Sequence, residues 1–432
     1  MTKFYSFPRG GIQFEDPTAP PRTGSVIAFL PNFSVIPLNY DAEHRVSSLV
    51  SEGDAVREAS LISRAEGPGS ANIYAPVPGT VVRSVSWNAG ESGITEAFII
   101  SMKGSFDLLG KPEREFPWEN LEPDALKSLI SEYGVVEMEL TGKPLADVLN
   151  DYEPESTLVI RCVFDDPWRA ADYVLCHEKV SAVAEGAVIT YQAVQAQKIV
   201  YACSAPEYEL GEALLAETKK FGVPAFLAPV GSRYPQSNPR ELTLALTEYS
   251  KKEQVALRNL LIENPSTMAA VCDAVKFRRP ILDRYVAVGG SAIRKPSVLR
   301  VRIGTRIREL FAECGGFVDE PERIAVGSPL LGQSVVNLDE PVLKQTSAVF
   351  ALLKRQIGGS AVKSCINCGE CRSVCPVGLD PELLYKQITG KKKQKIDSRV
   401  LECHGCACCE LVCPSRIPLA TVIKGKNHET TN

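Results

Sequence analysis

The sequence predicts a multidomain α/β protein with a helical, cysteine-rich tail. Three observations carry that expectation. Between residues 157 and 229, apolar runs alternate with stretches of helical period, the pattern of a parallel sheet covered by helices. Between residues 34 and 82, short apolar runs are broken by Gly and Pro, the pattern of small antiparallel β structure. After residue 360, two cysteine runs of identical spacing follow one another.

In order, residues 1–35 are rich in Pro, Gly and aromatic side chains and are expected to form an extended arm. A β-rich block spans 36–115. Ser34–Leu38 is a short apolar run, and Val50–Val56 reads as strand, turn, strand around Gly53-Asp54. Ile73–Val82 reads as a strand pair broken at Pro78-Gly79. The block resembles the flattened β-barrel of biotinyl and lipoyl domains. Those domains carry a lysine at the hairpin tip, where Pro78 and Gly79 stand here, so a scaffold is expected rather than a carrier.

The α/β block spans 116–284. Asp124–Tyr133, Val180–Gln195, Glu209–Phe221, Pro239–Glu248 and Thr267–Val275 have helical period. Thr157–Val163, Lys198–Cys203 and Val223–Pro229 read as strands. Residues 285–335 form a small β-grasp-like module. Val286–Gly290 and Val298–Ile303 are its strands, and Arg308–Cys314 is a helix closed by Gly315-Gly316. The tail is 336–432. Val342–Leu352 leads into it, Gly358-Gly359-Ser360 reads as a hinge, and Leu383, Leu384 and Ile388 mark a helix. Lys391 to Lys393 with Lys395 form a basic run, which is a solvated loop or a steering patch for an acidic partner.

The runs are Cys365-x-x-Cys368-x-x-Cys371-x-x-x-Cys375-Pro376 and Cys403-x-x-Cys406-x-x-Cys409-x-x-x-Cys413-Pro414. This is the spacing of bacterial two-cluster ferredoxins, whose fourth cysteine serves the other cubane. Three close thiolates on a tight loop reach three irons, and the loop cannot also wrap to the far corner. Cys365, Cys368, Cys371 and Cys413 are therefore assigned to one 4Fe–4S cluster, and Cys403, Cys406, Cys409 and Cys375 to a second. The proline after each run stops the helix. Structural zinc is the competing reading, but it needs only four ligands and leaves the third and fourth cysteines of each run unexplained. Cys408 is surplus to the pattern. His404 lies inside the second run and reads as packing, because the thiolate sets are complete.

Composition is that of a globular chain, 44% hydrophobic and 23% charged, with a net charge of −4, which argues against a nucleic-acid binder. The 14 cysteines show no secreted disulfide framework, so a reducing, cytoplasmic setting is expected. No apolar run reaches the ~18 residues of a membrane span, and no signal-like segment opens the chain. Adjacent Cys176 and His177 face different ways on a helix and make a weak nucleophile pair.

Several further motifs follow the same order. They are Gly10-Gly11-Ile12, Glu52-Gly53-Asp54-Ala55-Val56, Ala75-Pro76-Val77-Pro78-Gly79-Thr80-Val81, Tyr234-Pro235-Gln236 with Arg240-Glu241-Leu242, Asn264-Pro265-Ser266-Thr267, and Arg302-Ile303-Gly304-Thr305 with Gly315-Gly316. Along nearly the whole chain this resembles the C subunit of the Rnf complex, the membrane-bound ion-translocating ferredoxin:NAD oxidoreductase. The resemblance implies a lipoyl-like barrel, an α/β domain similar to the flavoprotein of respiratory complex I, an SLBB-like β-grasp module and a two-cluster ferredoxin-type tail. It implies FMN and NAD(H) in the α/β domain, with Asp166, Pro167, Tyr234, Asn264 and Thr267 at the site. It also implies membrane subunits and a ferredoxin-like carrier as partners, at the cytoplasmic face of the membrane. The chain departs from the family at the phosphate loop. Where the family has Gly-x-Gly-Gly-Ala-x-Phe-Pro-Thr, the stretch Gly134–Pro144 places Glu137 and Glu139 at glycine positions. Phe164 and Ser237 replace a Glu and a Gly of the family motifs.

Two forms of the relay are open. In one the chain still binds FMN and NAD(H); in the other the α/β domain is a scaffold and only the clusters work. The glutamates expected at the loop favour the second. A soluble flavin or cobalamin reductase of similar domain order, and a non-redox scaffold with structural metal, are the alternatives.

Overall fold

The computed structural model describes residues 2–13, 15–38, 44–88, 94–139, 141–328, 330–354, 361–390 and 397–431. The Gly358-Gly359-Ser360 hinge and the basic run of Lys391 to Lys393 and Lys395 lie outside those residues.

The arm ends in strand β1 (Ser25–Ile27). Strands β2 (Phe33–Pro37), β3 (Val46–Ser48), β4 (Ala55–Val56), β5 (Leu61–Ala65), β6 (Ile73–Tyr74), β7 (Gly79–Asn88) and β8 (Ile94–Met102) form two facing sheets, β2-β8-β7-β4 and β3-β5-β6. Their inner faces enclose Ile36, Val56, Ile62, Ile73, Val81, Phe98 and Ile100, which shut out water as a sandwich core must. The Ile73–Val82 stretch is not a hairpin. Its halves belong to different sheets, and Pro78-Gly79 carries the chain across. Within Val50–Val56 only β4 is strand.

The α/β unit contains α1 (Pro123–Glu132), α2 (Leu145–Asn150), β9 (Thr157–Cys162), α3 (Ala170–Glu178), α4 (Val180–Ala193), β10 (Lys198–Cys203), α5 (Tyr208–Lys219), β11 (Ala225–Pro229), α6 (Pro239–Glu253), β12 (Leu260–Glu263) and α7 (Pro265–Lys276). Its sheet is parallel in the order β11-β10-β9-β12. β9 is buried at every position, as a central strand covered on both faces requires. The chain steps outward from β9 to β11, then returns to β12 on the other flank. That reversal creates a switch point between β9 and β12, where open parallel sheets hold ligands.

Strands β13 (Asp283–Gly289), β14 (Ser297–Arg302), β15 (Arg323–Val326), β16 (Gln333–Val335) and β17 (Ala348–Leu352), with α8 (Ile307–Glu313), complete the next unit. The sheet order is β1-β14-β13-β17-β15-β16. α8 buries Ile307, Leu310 and Phe311 against Val286, Leu299, Val301 and Val349. Two placements differ from the sequence expectation. The extended arm supplies an edge strand, and the segment expected to lead into the tail is an internal strand of this sheet. The tail carries α9 (Glu370–Ser373), α10 (Pro381–Thr389), α11 (Cys408–Leu411) and α12 (Leu419–Thr431).

Candidate metal centres and the sheet crevice

The two cysteine runs adopt one backbone twice. α9 begins five residues after Cys365, and α11 five residues after Cys403. α10 and α12 each begin six residues after the last cysteine of their run. Left-handed residues fall at matching positions: Asn367 and Gly405 (φ 54° and 74°), Gly369 and Ala407 (80° and 63°), Gly378 and Arg416 (69° and 53°). Three of these six carry a Cβ, a conformation that costs non-glycine residues about 1 kcal/mol and persists when the surroundings demand it. The turns aim backbone N–H groups at sulfur. Asn367 donates to Cys365 Sγ at 3.4 Å, Leu379 to Cys375 Sγ at 3.2 Å and Ile417 to Cys413 Sγ at 3.5 Å.

Sequence neighbours are not the spatial groups. Cys413 packs with Cys365 and Cys371 around Ile417, Leu419 and Ala420, a cluster that also takes in Cys409. Cys375 packs with Cys403 around Leu379, Leu384 and Val400. Cys375, Cys403, Cys406 and Cys409 also feel one another electrostatically. Burial pushes the thiols of Cys371, Cys375 and Cys403 up. Cys406 is held down to about 7, chiefly because the Cys408 thiol donates to it. Cys408 is fully buried, and its position as a donor to a neighbouring sulfur could not be read from its surplus status in the sequence. All of the cysteines are free. Among the described residues, no three His, Cys, Asp or Glu side chains are arranged to hold a single metal ion. Eight thiols on mirrored loops, with backbone donors aimed at sulfur, fit a pair of iron–sulfur clusters.

The second run is fastened to the α/β unit. Tyr234 Oη donates to the Cys406 carbonyl at 2.9 Å, and Arg240 Nη1 donates to the Glu402 carbonyl at 2.7 Å. His404 Nε2 lies 3.0 Å from Oε1 of the buried Glu241, and its Nδ1 lies 3.4 Å from Asn238 Nδ2. The arm closes over the preceding cysteine: Gly11 donates its N–H to the Val374 carbonyl at 2.8 Å. At Gly10 (φ 65°) a Cβ would lie 2.5 Å from the Cys375 backbone carbonyl, so only glycine fits. Of the residues implied for a flavin site, Tyr234 thus stands against a cysteine run. Cys176 and His177 form no pair: Cys176 is buried, and the His177 ring lies against Tyr173 at 4.4 Å.

At the switch point, the chain's own side chains meet. Asn264 Oδ1 accepts from Arg161 Nε at 2.9 Å and Nη2 at 2.6 Å, while Arg161 Nη1 donates to the Ser237 carbonyl at 2.6 Å. Asn264 Nδ2 donates to the Met138 carbonyl, and Thr267 Oγ1 accepts from the Met138 N–H at 3.1 Å. Glu139 occupies a left-handed position at φ 63°, where glycine is at ease. Its carboxylate lies 3.4 Å from Arg169, which also pairs with the buried Asp172 at 3.3 Å. Burial, then the Asp172 charge, push Glu139 up to about 7. Burial lowers Arg161 to about 10 and raises Glu263 well above the usual carboxylate range. Asp166 accepts from the Trp168 N–H at 3.0 Å and is pushed up to about 6 by burial. Pro167 lines a neighbouring cavity of about 450 Å³, together with Glu15, Asp16, Asp165, Glu207 and a single Arg22. Carboxyl groups crowd both places, and the Arg161 and Arg169 guanidiniums are consumed internally. These residues do not fit a flavin phosphate.

The chain matches three domain families in order: the RnfC barrel sandwich hybrid domain over 7–105, the Nuo51 FMN-binding domain over 130–273 and the SLBB domain over 285–335. It is 30% identical over 365 residues to the C subunit of the ion-translocating oxidoreductase complex of Rhodobacter capsulatus, covering 83% of this chain and 70% of that one. It is 28% identical over 390 residues to the C subunit of the proton-translocating ferredoxin:NAD(+) oxidoreductase complex of Clostridium ljungdahlii, covering 89% and 84%. For the Na(+)-translocating counterpart of Acetobacterium woodii, the identity is 25% over 359 residues, covering 81% and 80%. Among solved structures, an NAD+-reducing [NiFe]-hydrogenase in the air-oxidized state superposes with a TM-score of 0.49 at 13% identity, covering 70% of this chain and 60% of that one. Identity sustained over most of both chains, with the domain matches in the same order, shows that this chain belongs to the family of C subunits of ion-translocating oxidoreductase complexes.

Proposed function

We propose that the protein is the electron-relaying C subunit of an Rnf-type ferredoxin:NAD oxidoreductase complex, and that its tail is a ferredoxin-type domain holding two 4Fe–4S clusters. Cys365, Cys368, Cys371 and Cys413 hold one cluster; Cys403, Cys406, Cys409 and Cys375 hold the other. The clusters, when bound, supply one-electron storage. The chain's own part is to set their spacing and to donate N–H groups to sulfur, which stabilises the more negative state. The observation that carries the reading is the placement of Cys413 beside the first run and Cys375 beside the second.

The units at 36–115, 116–284 and 285–335 are read as the frame that positions the tail at 336–432, with 1–35 as its strap. No helix among the described residues is long and apolar enough to cross a membrane. Attachment at the cytoplasmic face through membrane subunits is part of this reading. The flavin site is read as lost, because its crevice is filled. The match to an FMN-binding domain favours the other form, in which FMN and NAD(H) still bind.

Iron and sulfide analysis of the anaerobically reconstituted chain is expected to give about eight of each, with two interacting spins on reduction. Zinc, or no metal, sinks the relay. Stoichiometric FMN with NADH-driven cluster reduction overturns the flavin-free form alone. Purification without any membrane subunit favours the soluble reductase.

A further inference from the structure

We infer that Tyr234 is a positioning residue for the second cluster, and that with the strap it sets the potential of that cluster apart from the potential of the first. The inference rests on the two-cluster reading and adds a role for a residue that the family resemblance would give to a flavin.

Tyr234 is buried, and it joins three parts of the chain. Its hydroxyl donates to the Cys406 carbonyl at 2.9 Å, and its own carbonyl accepts from the Ile12 N–H at 2.9 Å. One residue earlier in the strap, the Gly11 N–H donates to the Val374 carbonyl at 2.8 Å, next to Cys375. The approach is close. A Cβ at Gly11 would lie 2.6 Å from the Tyr234 carbonyl oxygen, and one at Gly10 2.5 Å from the Cys375 carbonyl. Neighbouring Arg233 fixes the strap as well: Nη2 donates to the Phe7 carbonyl at 2.9 Å, and the guanidinium lies 4.4 Å from the Phe7 ring centre.

Two cysteines are thus held from outside the tail, Cys406 by Tyr234 and Cys375 by the strap. They come from different runs, yet the exchanged fourth ligand puts them on one cluster. Cys368, at the position that matches Cys406 in the first run, is exposed. The external hold therefore falls unevenly on the pair.

The consequence is electrostatic. Hydrogen bonding and solvent exposure set the potentials of such clusters. The Tyr234 hydroxyl turns its positive end towards the Cys406 loop and engages the negative end of the Cys406 carbonyl. In a buried setting such dipoles are weakly screened. Reduction adds a negative charge, so this hydrogen bond favours the reduced state of the cluster that Cys406 serves. Without the hydroxyl, the carbonyl is left unpaired beside that charge.

The test uses the full chain after anaerobic reconstitution. A redox titration followed by electron paramagnetic resonance is expected to give two midpoints in wild type. Tyr234→Phe keeps the ring and removes the donor. It is expected to retain the iron and to move one midpoint to more negative potential, with the other in place. 3-Fluorotyrosine at position 234, a stronger donor of nearly the same shape, is expected to move the same midpoint the other way. Gly10→Ala, which crowds the Cys375 carbonyl, is expected to shift or abolish that same midpoint. Tyr234→Phe with both midpoints unmoved, or both moved equally, overturns the inference and leaves the relay standing. So does a Gly10→Ala effect confined to the other midpoint, since the two contacts would then serve different clusters. Where Tyr234→Phe loses iron, an unmoved midpoint in the fluorotyrosine chain overturns it. A wild-type chain that takes up no iron overturns the relay itself, and this role with it.

Discussion

Cys408 and Cys409 are adjacent, both buried, and only one can complete a cubane at the spacing of the first run. Cys408 donates to Cys406, so on the proposed assignment removing it takes away a hydrogen bond and not a ligand. Cys408→Ala is expected to keep about eight irons per chain, whereas Cys409→Ala keeps about four. Half the iron lost from Cys408→Ala would reassign the ligand. Glu139 makes a different kind of statement. Its carboxylate titrates near 7 in the folded chain, against an ordinary value of 4.5. The folded state therefore holds the proton more tightly than the unfolded chain. The associated stability is present below about 4.5 and lost as pH rises through 7. Glu139→Gly removes the buried carboxylate and the left-handed strain together. Urea unfolding at pH 8 is expected to show a gain of about 1 kcal/mol, with a shallower decline between pH 4.5 and 7. A loss of stability at pH 8 would show that the Arg169 pair outweighs both costs.

Among the elements, the twin runs test each other. Gly369 and Ala407 occupy the same left-handed position before α9 and α11, but only Ala407 bears a Cβ there. Ala407→Gly is expected to raise the unfolding free energy of the cluster-bearing chain by about 1 kcal/mol, read as a shift in denaturant midpoint. An unchanged or lower midpoint would mean that packing of the buried methyl group against Cys371 and Ile417 matters more. The same elements show what was legible in the sequence. The repeated backbone of the two cysteine runs was legible because their spacing repeats residue for residue. α1 and α5 were legible because each has one apolar face. α3 was assumed around Cys176 and His177 but its bounds were not legible, because its Ala171, Asp172, Val174, Leu175 and Cys176 are buried nearly all round, which erases the period. β12 was missed at four residues. The latches on the second run were invisible for another reason. Tyr234 and Cys406 are 172 residues apart, and nothing in either neighbourhood announces the other.

The barrel, the α/β unit and the segment before β17 meet at one buried amine. Lys344 Nζ donates to the Asn72 carbonyl at 2.9 Å and to the Gly134 carbonyl at 2.8 Å. It therefore ties three parts of the chain together through one buried amine. Burial lowers its pKa to about 7, from an ordinary 10.5. The unfolded chain then binds more protons between those values, so stability rises with pH across that window, and below it the cost of burying the charge is felt in full. Lys344→Met fills similar volume without a charge and leaves two carbonyls unpaired. The difference in urea midpoint between wild type and variant cancels the titration of the thiols. That difference is expected to move in favour of the wild type by on the order of 2 kcal/mol between pH 7 and pH 10, since the two carbonyls offset part of the desolvation. A flat difference would mean that the two carbonyls keep the ammonium charged throughout, and that the junction is held by charge-assisted hydrogen bonds at every pH tested.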